Sequence, residues 1–285
     1  MIDSEKLRIT TLVENSTACA LAKAEWGLSI IIEAGETSYL FDTGASDLVI
    51  QNAETLNIDL SGIDGIVLSH GHWDHTGGLL SVLKRTCQKD IPVIAHPGVF
   101  NRKYYYNKDT KKYKYIGIPH RTELLEDAGA RFKLSSGPIW LSDDIAVSGE
   151  VPLTTDFEKV SDEMFVKTEN GFIQDPLEDD YSMYIRTDLG LVIILGCAHR
   201  GMINTIKNGQ DLMKTDRIHM VIGGTHLGPA PEMQVDKTIE TLKEMDTRKL
   251  GPSHCTGLPV AGKLAREFGD RFFFNTAGKK IWFDE

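Results

Sequence analysis

The sequence contains little cysteine and no disulfide pattern. Its four cysteines are Cys19, Cys87, Cys197 and Cys255, which are widely spaced and form no CxxC pair. Disulfide frameworks and CxxC-type zinc or redox motifs need cysteines at short, regular spacing. Neither is therefore expected, although Cys197 and Cys255 each lie close to a histidine in the sequence.

Long apolar runs are also missing. No segment reaches the roughly 18 consecutive apolar residues that a transmembrane helix needs. The first ten residues, MIDSEKLRIT, lack the apolar core of a secretory signal. These two absences lead us to expect a cytoplasmic protein.

The sequence also lacks an excess of positive charge, since its formal net charge is -10. We therefore expect no general binding to nucleic acid or to an anionic membrane. A small anionic substrate stays compatible with this charge, because a bound metal ion reverses the local field. The motifs GxSxG, GxxxxGK[ST] and GxGxxG are absent as well, so neither a serine-nucleophile elbow nor a nucleotide-binding loop is expected. The oligomeric state is left open.

Short apolar runs alternate with amphipathic stretches along two similar halves. The predicted strands cover residues 7–14, 27–33, 38–42, 65–69, 91–95, 190–195, 218–222, 272–274 and 280–283. The predicted helices cover residues 48–56, 77–85, 203–213 and 235–245. This order predicts an α/β fold with two packed sheets and helices outside, in a single domain over residues 1–285.

A less regular region separates the two halves, at about residues 98–180. It carries a basic, tyrosine-rich stretch at residues 102–115 in an otherwise acidic chain. We predict that the region is an irregular insert. Its basic stretch is either a solvated hairpin or a lid that meets an anionic or aromatic substrate.

Four potential metal ligands follow one buried strand within six residues: His70, His72, Asp74 and His75. Imidazole and carboxylate groups suit zinc, iron or manganese. A loop at the end of a strand directs such side chains toward one point. The HxHxDH spacing therefore predicts a metal site that activates water.

This motif resembles the signature of the metallo-β-lactamase superfamily, and the resemblance extends over most of the chain. The other segments that carry it are Phe41-Asp42-Thr43-Gly44, Gly190–His199 and Ser253-His254-Cys255. The resemblance implies an αββα sandwich of two mixed sheets, with two divalent metal ions at one edge. Zinc is the first expectation for these ions, and iron and manganese are the alternatives.

The resemblance also implies roles for individual residues. His70 and His72 would bind the first metal, and Asp74, His75 and His254 the second. Asp74 would in addition orient the second metal during catalysis and accept a proton, while Asp42 would support the ligand loop from behind.

Two positions depart from the pattern of the superfamily and stay open. The residue after Gly196 is normally a bridging aspartate, whereas here it is Cys197, with His199 two positions later. We favour His199 as the ligand at this position, with Cys197 as the close alternative. The third ligand of the first metal is also unassigned, and its candidates are His96, Glu150 and His226.

Finer similarity links the chain to the dihydropterin-ribofuranosylaminobenzene-phosphate synthase-like branch of the superfamily. The segments that carry it are IPVIAHPGVF at 91–100, GEVP at 149–152, GCAHRG at 196–201, GGTHL at 223–227 and HCTG at 254–257. Many members of this branch are known only as metal-dependent hydrolases.

Three functional hypotheses follow. The first is a dinuclear metal-dependent hydrolase that acts on a phosphoester or a related small anionic substrate. The second is a metal-dependent synthase or transferase of the methanopterin-biosynthesis type, acting on a pterin. The third is an iron-dependent redox or sensing module with Cys197 as a ligand.

Overall fold

The computed structural model describes residues 1–283, so the last two residues of the predicted domain, 284 and 285, lie outside it. The strands are β1 Leu7–Val13, β2 Ser29–Ala34, β3 Thr37–Phe41, β4 Gly65–Val67, β5 Ile91–Ala95, β6 Lys103–Asn107, β7 Lys112–Tyr115, β8 Ala130–Leu134, β9 Ile139–Ser142, β10 Ile145–Val147, β11 Met164–Thr168, β12 Gly171–Gln174, β13 Ser182–Thr187, β14 Gly190–Leu195, β15 Ile218–Gly224, β16 Lys249–Ser253 and β17 Lys280–Trp282. The helices are α1 Leu48–Thr55, α2 Trp73–Thr76, α3 Leu79–Thr86, α4 Thr122–Asp127, α5 Met202–Met213, α6 Glu232–Glu244 and α7 Leu258–Phe268.

Two mixed sheets form the centre of the protein. The first sheet has the strand order β17-β1-β2-β3-β4-β5-β8, and the second has the order β16-β15-β14-β13-β10-β9. Their facing surfaces share one apolar core, in which Ile30, Ile32 and Phe41 of the first sheet meet Ile185 and Ile194 of the second. Alternate residues of each strand point into this core because successive side chains of a strand face opposite sides.

Helices cover the outer face of each sheet. Val49 of α1 and Val82 of α3 pack on the outer face of the first sheet, and Ile206 of α5 and Ile239 of α6 pack on that of the second. The helices are amphipathic, with their apolar side turned to the sheet. The predicted αββα sandwich is confirmed.

The site residues sit where parallel strands end. The strand β3 runs parallel to β4, and β14, β15 and β16 run parallel to one another. Parallel strands bring their carboxyl ends to one edge of a sheet, where the following loops form binding sites. The residues that follow these strands are therefore gathered along one edge.

The prediction of an irregular region at residues 98–180 was wrong in detail. Its strand β8 joins the first sheet and its strands β9 and β10 join the second, while β12, β11, β6 and β7 form a third, four-stranded sheet. The third sheet is exposed over most of its surface and packs through aromatic pairs, such as Tyr113 stacked on Phe172 with ring centroids 3.8 Å apart. Strands of this kind show no apolar run that a sequence pattern would reveal.

The end of the chain holds one strand rather than two. The predicted strand at 272–274 was wrong, since these residues contribute a single bridge from Phe272 to Leu250. The predicted strand at 280–283 is confirmed as β17, which pairs with β1. Among residues 1–283, no helix combines the length and the apolar character needed to cross a membrane.

Candidate metal centre

The ligand loop, residues 69–76, runs from the end of β4 into the short helix α2. Its potential ligands are almost completely enclosed, since His70 and His75 are 0% exposed and His72 and Asp74 only 5% and 8%. Buried imidazoles and carboxylates are expected to be paired with each other or with a metal. The structure thus brings all four residues of the HxHxDH motif to the edge where β3 and β4 end.

Asp42 fixes this loop from behind. Its Oδ1 accepts a hydrogen bond from the backbone N–H of Ser69 at 2.7 Å, and its Oδ2 lies 2.7 Å from Nδ1 of His75. The contact assigns one proton of His75 to Nδ1, so Nε2 is the nitrogen that can act as a ligand once it has lost its own proton, as in carboxylate–histidine–zinc arrangements. Burial lowers the pKa of His75, but the charges of Asp42 and Asp74 outweigh it and raise this pKa to about 9.

A second set of imidazoles meets around His70. Its Nε2 lies 2.8 Å from Nδ1 of His72 and 3.3 Å from Nε2 of His199. Burial lowers the pKa of all three histidines well below its usual value. They are therefore neutral at pH 7, which is the form that binds metal ions.

Cys197 is common to three groups of potential ligands. Within residues 1–283, donor atoms lie within 4.8 Å of one another in the groups His70–Cys197–His199, His75–Cys197–His254 and Cys197–His226–Cys255. The structure thus places His199 beside His70, and Cys197 between the two imidazole groups. Sequence reasoning favoured His199 for the shared position, with Cys197 as the close alternative. Cys197 belongs to all three groups, whereas His199 belongs to one.

Asp74 lies on the side of His75 and His254. Its Oδ2 is 3.4 Å from Nε2 of His254 and accepts a hydrogen bond from Nε1 of Trp26 at 2.9 Å. Burial raises the pKa of Asp74, but the charges of His75 and His254 outweigh it and leave this pKa well below its usual value. Asp74 is therefore an anion at neutral pH, the state that a metal ligand needs.

His254 is held by residues from the beginning of the chain. Its backbone N–H donates to Glu14 at 2.7 Å, and its Nδ1 lies 2.9 Å from Oδ1 of Asn15. Trp26 packs on its ring with centroids 5.3 Å apart. These contacts turn Nε2 of His254 toward Nε2 of His75, 3.2 Å away.

Two predicted candidates lie apart from these groups. His96 places its Nε2 3.1 Å from Oε1 of Glu150, and its Nδ1 accepts from the backbone N–H of Gly98. Neither His96 nor Glu150 belongs to a ligand group within residues 1–283. His226, the other candidate, lies beside His199 with ring centroids 4.2 Å apart and groups with the two cysteines.

Sequence reasoning missed a buried ion cluster behind the ligand loop. Nζ of Lys103 lies 2.7 Å from Asp175 and 2.8 Å from Asp179, and all three side chains are at most 3% exposed. Asp179 also accepts a hydrogen bond from the backbone N–H of Gly71 at 2.9 Å. The insert therefore clamps the ligand loop, and no local pattern around Lys103 signalled this role.

Comparison with known proteins agrees with this geometry. The family model of the metallo-beta-lactamase superfamily matches residues 27–198. The chain belongs to this superfamily. Its fold implies binding of divalent metal ions, and the described His/Cys groups supply donors for them.

Relatives within the superfamily extend over nearly the whole chain. A 7,8-dihydropterin-6-methyl-4-(beta-D-ribofuranosyl)-aminobenzene-5'-phosphate synthase of Methanocaldococcus jannaschii is 34% identical over 270 residues, or 91% of this chain and 90% of the relative. An uncharacterized protein of the same organism is 31% identical and covers 96% of this chain and 99% of its own. The crystal structure of Tm1679, a metal-dependent hydrolase of the beta-lactamase superfamily, has a TM-score of 0.82 and 28% identity and covers 98% of this chain and 100% of that chain. The predicted resemblance to the superfamily and to the synthase-like branch is confirmed.

The residues present fit the metals that the metallo-beta-lactamase fold implies. Nε2 of His72 and Nδ1 of His199 are buried and have no hydrogen-bond partner within residues 1–283. Buried polar atoms without a partner are rare, and a metal ion is one accepted reason for them. Five imidazoles, one carboxylate and one shared sulfur form a donor set typical of zinc or another borderline divalent ion.

Proposed function

We propose that the protein is a dinuclear metal-dependent hydrolase that cleaves a small anionic ester, with a phosphoester as the first candidate. One observation carries this proposal: Cys197 belongs both to the group of His70 and His199 and to the group of His75 and His254. A sulfur shared by two imidazole groups provides two adjacent metal positions, with zinc as the first expectation and iron or manganese as alternatives.

The chemistry follows from general properties of such centres. Two divalent ions bound here would lower the pKa of a bound water to about 7 and neutralise charge that develops on an ester. Asp42 holds His75 in the tautomer and orientation that a ligand needs. Asp74 stays anionic and is oriented by Trp26 and His254.

Space for a small substrate lies on both sides of the centre. One cavity of about 330 Å³ is lined by Trp26, His254 and Phe274. A second cavity of about 540 Å³ is lined by His199 and His226, together with Lys108, Lys159 and Phe157. Lys108 of this cavity is paired with Asp162 and Glu163, so the preference for an anionic substrate rests on the metal ions. The negative charge of the whole protein disfavours nucleic acid and anionic membrane as partners.

The proposal is tested by metal content and hydrolysis together. Protein purified without added metal is analysed by elemental mass spectrometry, and p-nitrophenyl phosphate and bis(p-nitrophenyl) phosphate are assayed before and after chelation. We expect at least about two metal ions per chain and turnover that chelation abolishes and zinc restores. A chain that binds no metal after reconstitution overturns the proposal. Full metal loading without hydrolysis of any ester shifts the weight to the second candidate.

The second candidate is a synthase that joins a pterin to an aminobenzene ribose phosphate. The relative that is 34% identical over 91% of this chain bears the name of such a synthase. This function uses the same metals but a substrate atom, rather than water, as the nucleophile. The purified protein is given a pterin with a diphosphate leaving group and an aminobenzene ribose phosphate, and the joined product is sought by mass spectrometry. Release of diphosphate without that product contradicts it.

A further inference from the structure

We propose that Cys197, His226 and Cys255 form a third cation position, suited to zinc or another borderline divalent ion. Their donor atoms lie within 4.8 Å of one another. Two sulfurs and one imidazole are a donor set found in structural zinc sites and in sites for soft metals. Only Cys197 is shared with the dinuclear centre, since His226 and Cys255 belong to neither of its two groups.

The fold explains why these three residues converge. Cys197, His226 and Cys255 each follow the last residue of a strand by two positions, after β14, β15 and β16 respectively. The three strands are neighbours and parallel, and Gly223 is paired with both Leu195 and Pro252. Counted from the paired residues Leu195, Gly223 and Pro252, the offsets are two, three and three, so the three residues lie close together at one edge.

Local backbone geometry makes room for the sulfur of Cys255. A Cβ added to Gly224 would lie 2.8 Å from Sγ of Cys255 and 2.3 Å from the carbonyl oxygen of Gly196. Glycine at 224 is therefore required for the close approach of the three loops. His226 has a left-handed backbone, with φ of 48°, and non-glycine residues held in this region cluster at functional sites.

Buried polar atoms without partners lie in this group and in nearby Asp180, on whose pKa the charges of His226 and Cys255 act. Nδ1 of His226 and Oδ1 of Asp180 have no hydrogen-bond partner within the described part of the chain, and Asp180 is 0% exposed. Sγ of Cys255 accepts a hydrogen bond from the backbone N–H of His226 at 3.2 Å. A cation beside them would explain why this imidazole nitrogen and this carboxylate oxygen are buried without a hydrogen-bond partner in residues 1–283.

Cobalt(II) substitution tests the proposal, because cobalt–thiolate bonds absorb in the near ultraviolet whereas cobalt–imidazole bonds do not. Metal-free protein, kept reduced, is titrated with cobalt, and the bound metal and the absorption are measured. Relative to wild type, Cys255→Ser and His226→Gln should each lose about one cobalt ion per chain, and Cys255→Ser should also lose part of the thiolate band. Cys87→Ser, which alters an exposed free thiol, should change neither quantity.

The outcomes separate this position from the dinuclear centre. If Cys255→Ser and His226→Gln both keep the cobalt content and the absorption of the wild type, the third position is overturned. The hydrolase proposal stays intact in that case, provided that His72→Ala still loses metal. A loss of cobalt in the two variants supports the third position even when the wild-type protein hydrolyses no ester. Circular dichroism of each metal-free variant verifies the fold. If Cys255→Ser fails to fold, the cobalt content of His226→Gln, which retains both thiols, decides whether the third position exists.

Discussion

Oδ2 of Asp42 lies 2.7 Å from Nδ1 of His75, and both side chains are completely buried. The raised pKa of His75, about 9, means that metal-free protein holds a proton there at neutral pH. A metal ion that binds Nε2 of His75 must displace the proton on this nitrogen, so metal binding and proton release are linked.

The affinity for zinc should therefore rise with pH. Below its pKa of about 9, the unprotonated fraction of His75 grows about tenfold for each pH unit. We expect the apparent zinc affinity to increase by at least this factor between about pH 7 and about pH 8. Competition with a chromogenic chelator, in buffers of equal ionic strength, measures it.

The variant Asp42→Asn tests whether His75 causes this pH dependence. Asparagine tolerates the positive φ of 58° at this position, and its amide presents the wrong partner to Nδ1 of His75. We expect zinc affinity at about pH 8 to fall roughly 10–100-fold, with a shallower dependence on pH. An unchanged slope in Asp42→Asn contradicts the assignment of the released proton to His75.

Stability of the metal-free protein should fall in acid. His70, His72 and His199 have pKa values well below 6.5 in the folded state. The unfolded chain takes up protons at these positions as the pH drops below 6.5, whereas the folded protein does not, so their contribution to stability is lost in this range. Urea unfolding at several pH values measures the effect. A midpoint that does not change between pH values above and below 6.5 argues against three buried neutral histidines.

Gly71→Ala should displace the ligand loop. A Cβ at this position would lie 2.2 Å from the carbonyl oxygen of Val99, so the backbone between His70 and His72 must move. We expect a destabilisation of about 1–3 kcal/mol and a marked loss of bound metal, measured by thermal unfolding and elemental analysis. Gly62→Ala is the control, because its Cβ would meet nothing within 4 Å. Equal metal content in the two variants would show that the loop tolerates the methyl group.

Lys103→Met should destabilise the protein strongly. The substitution leaves Asp175 and Asp179 buried without their counter-ion, and breaking a buried ion pair in this way costs about 3–5 kcal/mol. Urea unfolding compares this variant with Lys114→Met, an exposed lysine of β7, which should stay within about 0.5 kcal/mol of wild type. Similar unfolding midpoints for the two variants would refute the clamp on the ligand loop.

Cys197→Ser should affect both halves of the dinuclear centre. Because the sulfur belongs to both imidazole groups, we expect loss of about two metal ions per chain from the dinuclear centre, and of the ion at the proposed third position as well, against about one for His199→Ala or His254→Ala. Elemental analysis after dialysis against a weak chelator measures this. A Cys197→Ser protein that keeps one tightly bound ion would restore the alternative in which His199, and not the thiolate, holds that ion.

Much of the fold was predictable because its core strands are short, apolar and bounded by clear breaks. The segments 65–69, 190–195 and 218–222 are buried on both faces, and such strands give continuous apolar runs. The third sheet was not predictable, because strands such as β7 are exposed along their whole length. Their pairing depends on aromatic contacts between distant residues, which no local pattern records.

The site was predictable to the extent that its donors are close in sequence. The spacing of His70, His72, Asp74 and His75 is itself a signal. The structure groups His70 and His75 around Cys197, with His72 beside His70 and Asp74 beside His254. The position of Cys197 relative to His199 was not predictable, because it depends on how β14 aligns with β4 across two sheets. The contribution of Cys255 was hidden in the same way, although its place beside His254 could have signalled it.

The anchoring of His254 by Glu14 and Asn15 has a consequence for the order in which the centre is built. During synthesis, the ligand loop leaves the ribosome well before Cys197, His199 and His254 do. A nascent chain therefore offers an incomplete donor set. The full donor set comes together only when residue 254 has emerged and met Glu14 and Asn15, so it belongs to the finished fold and not to the HxHxDH loop by itself.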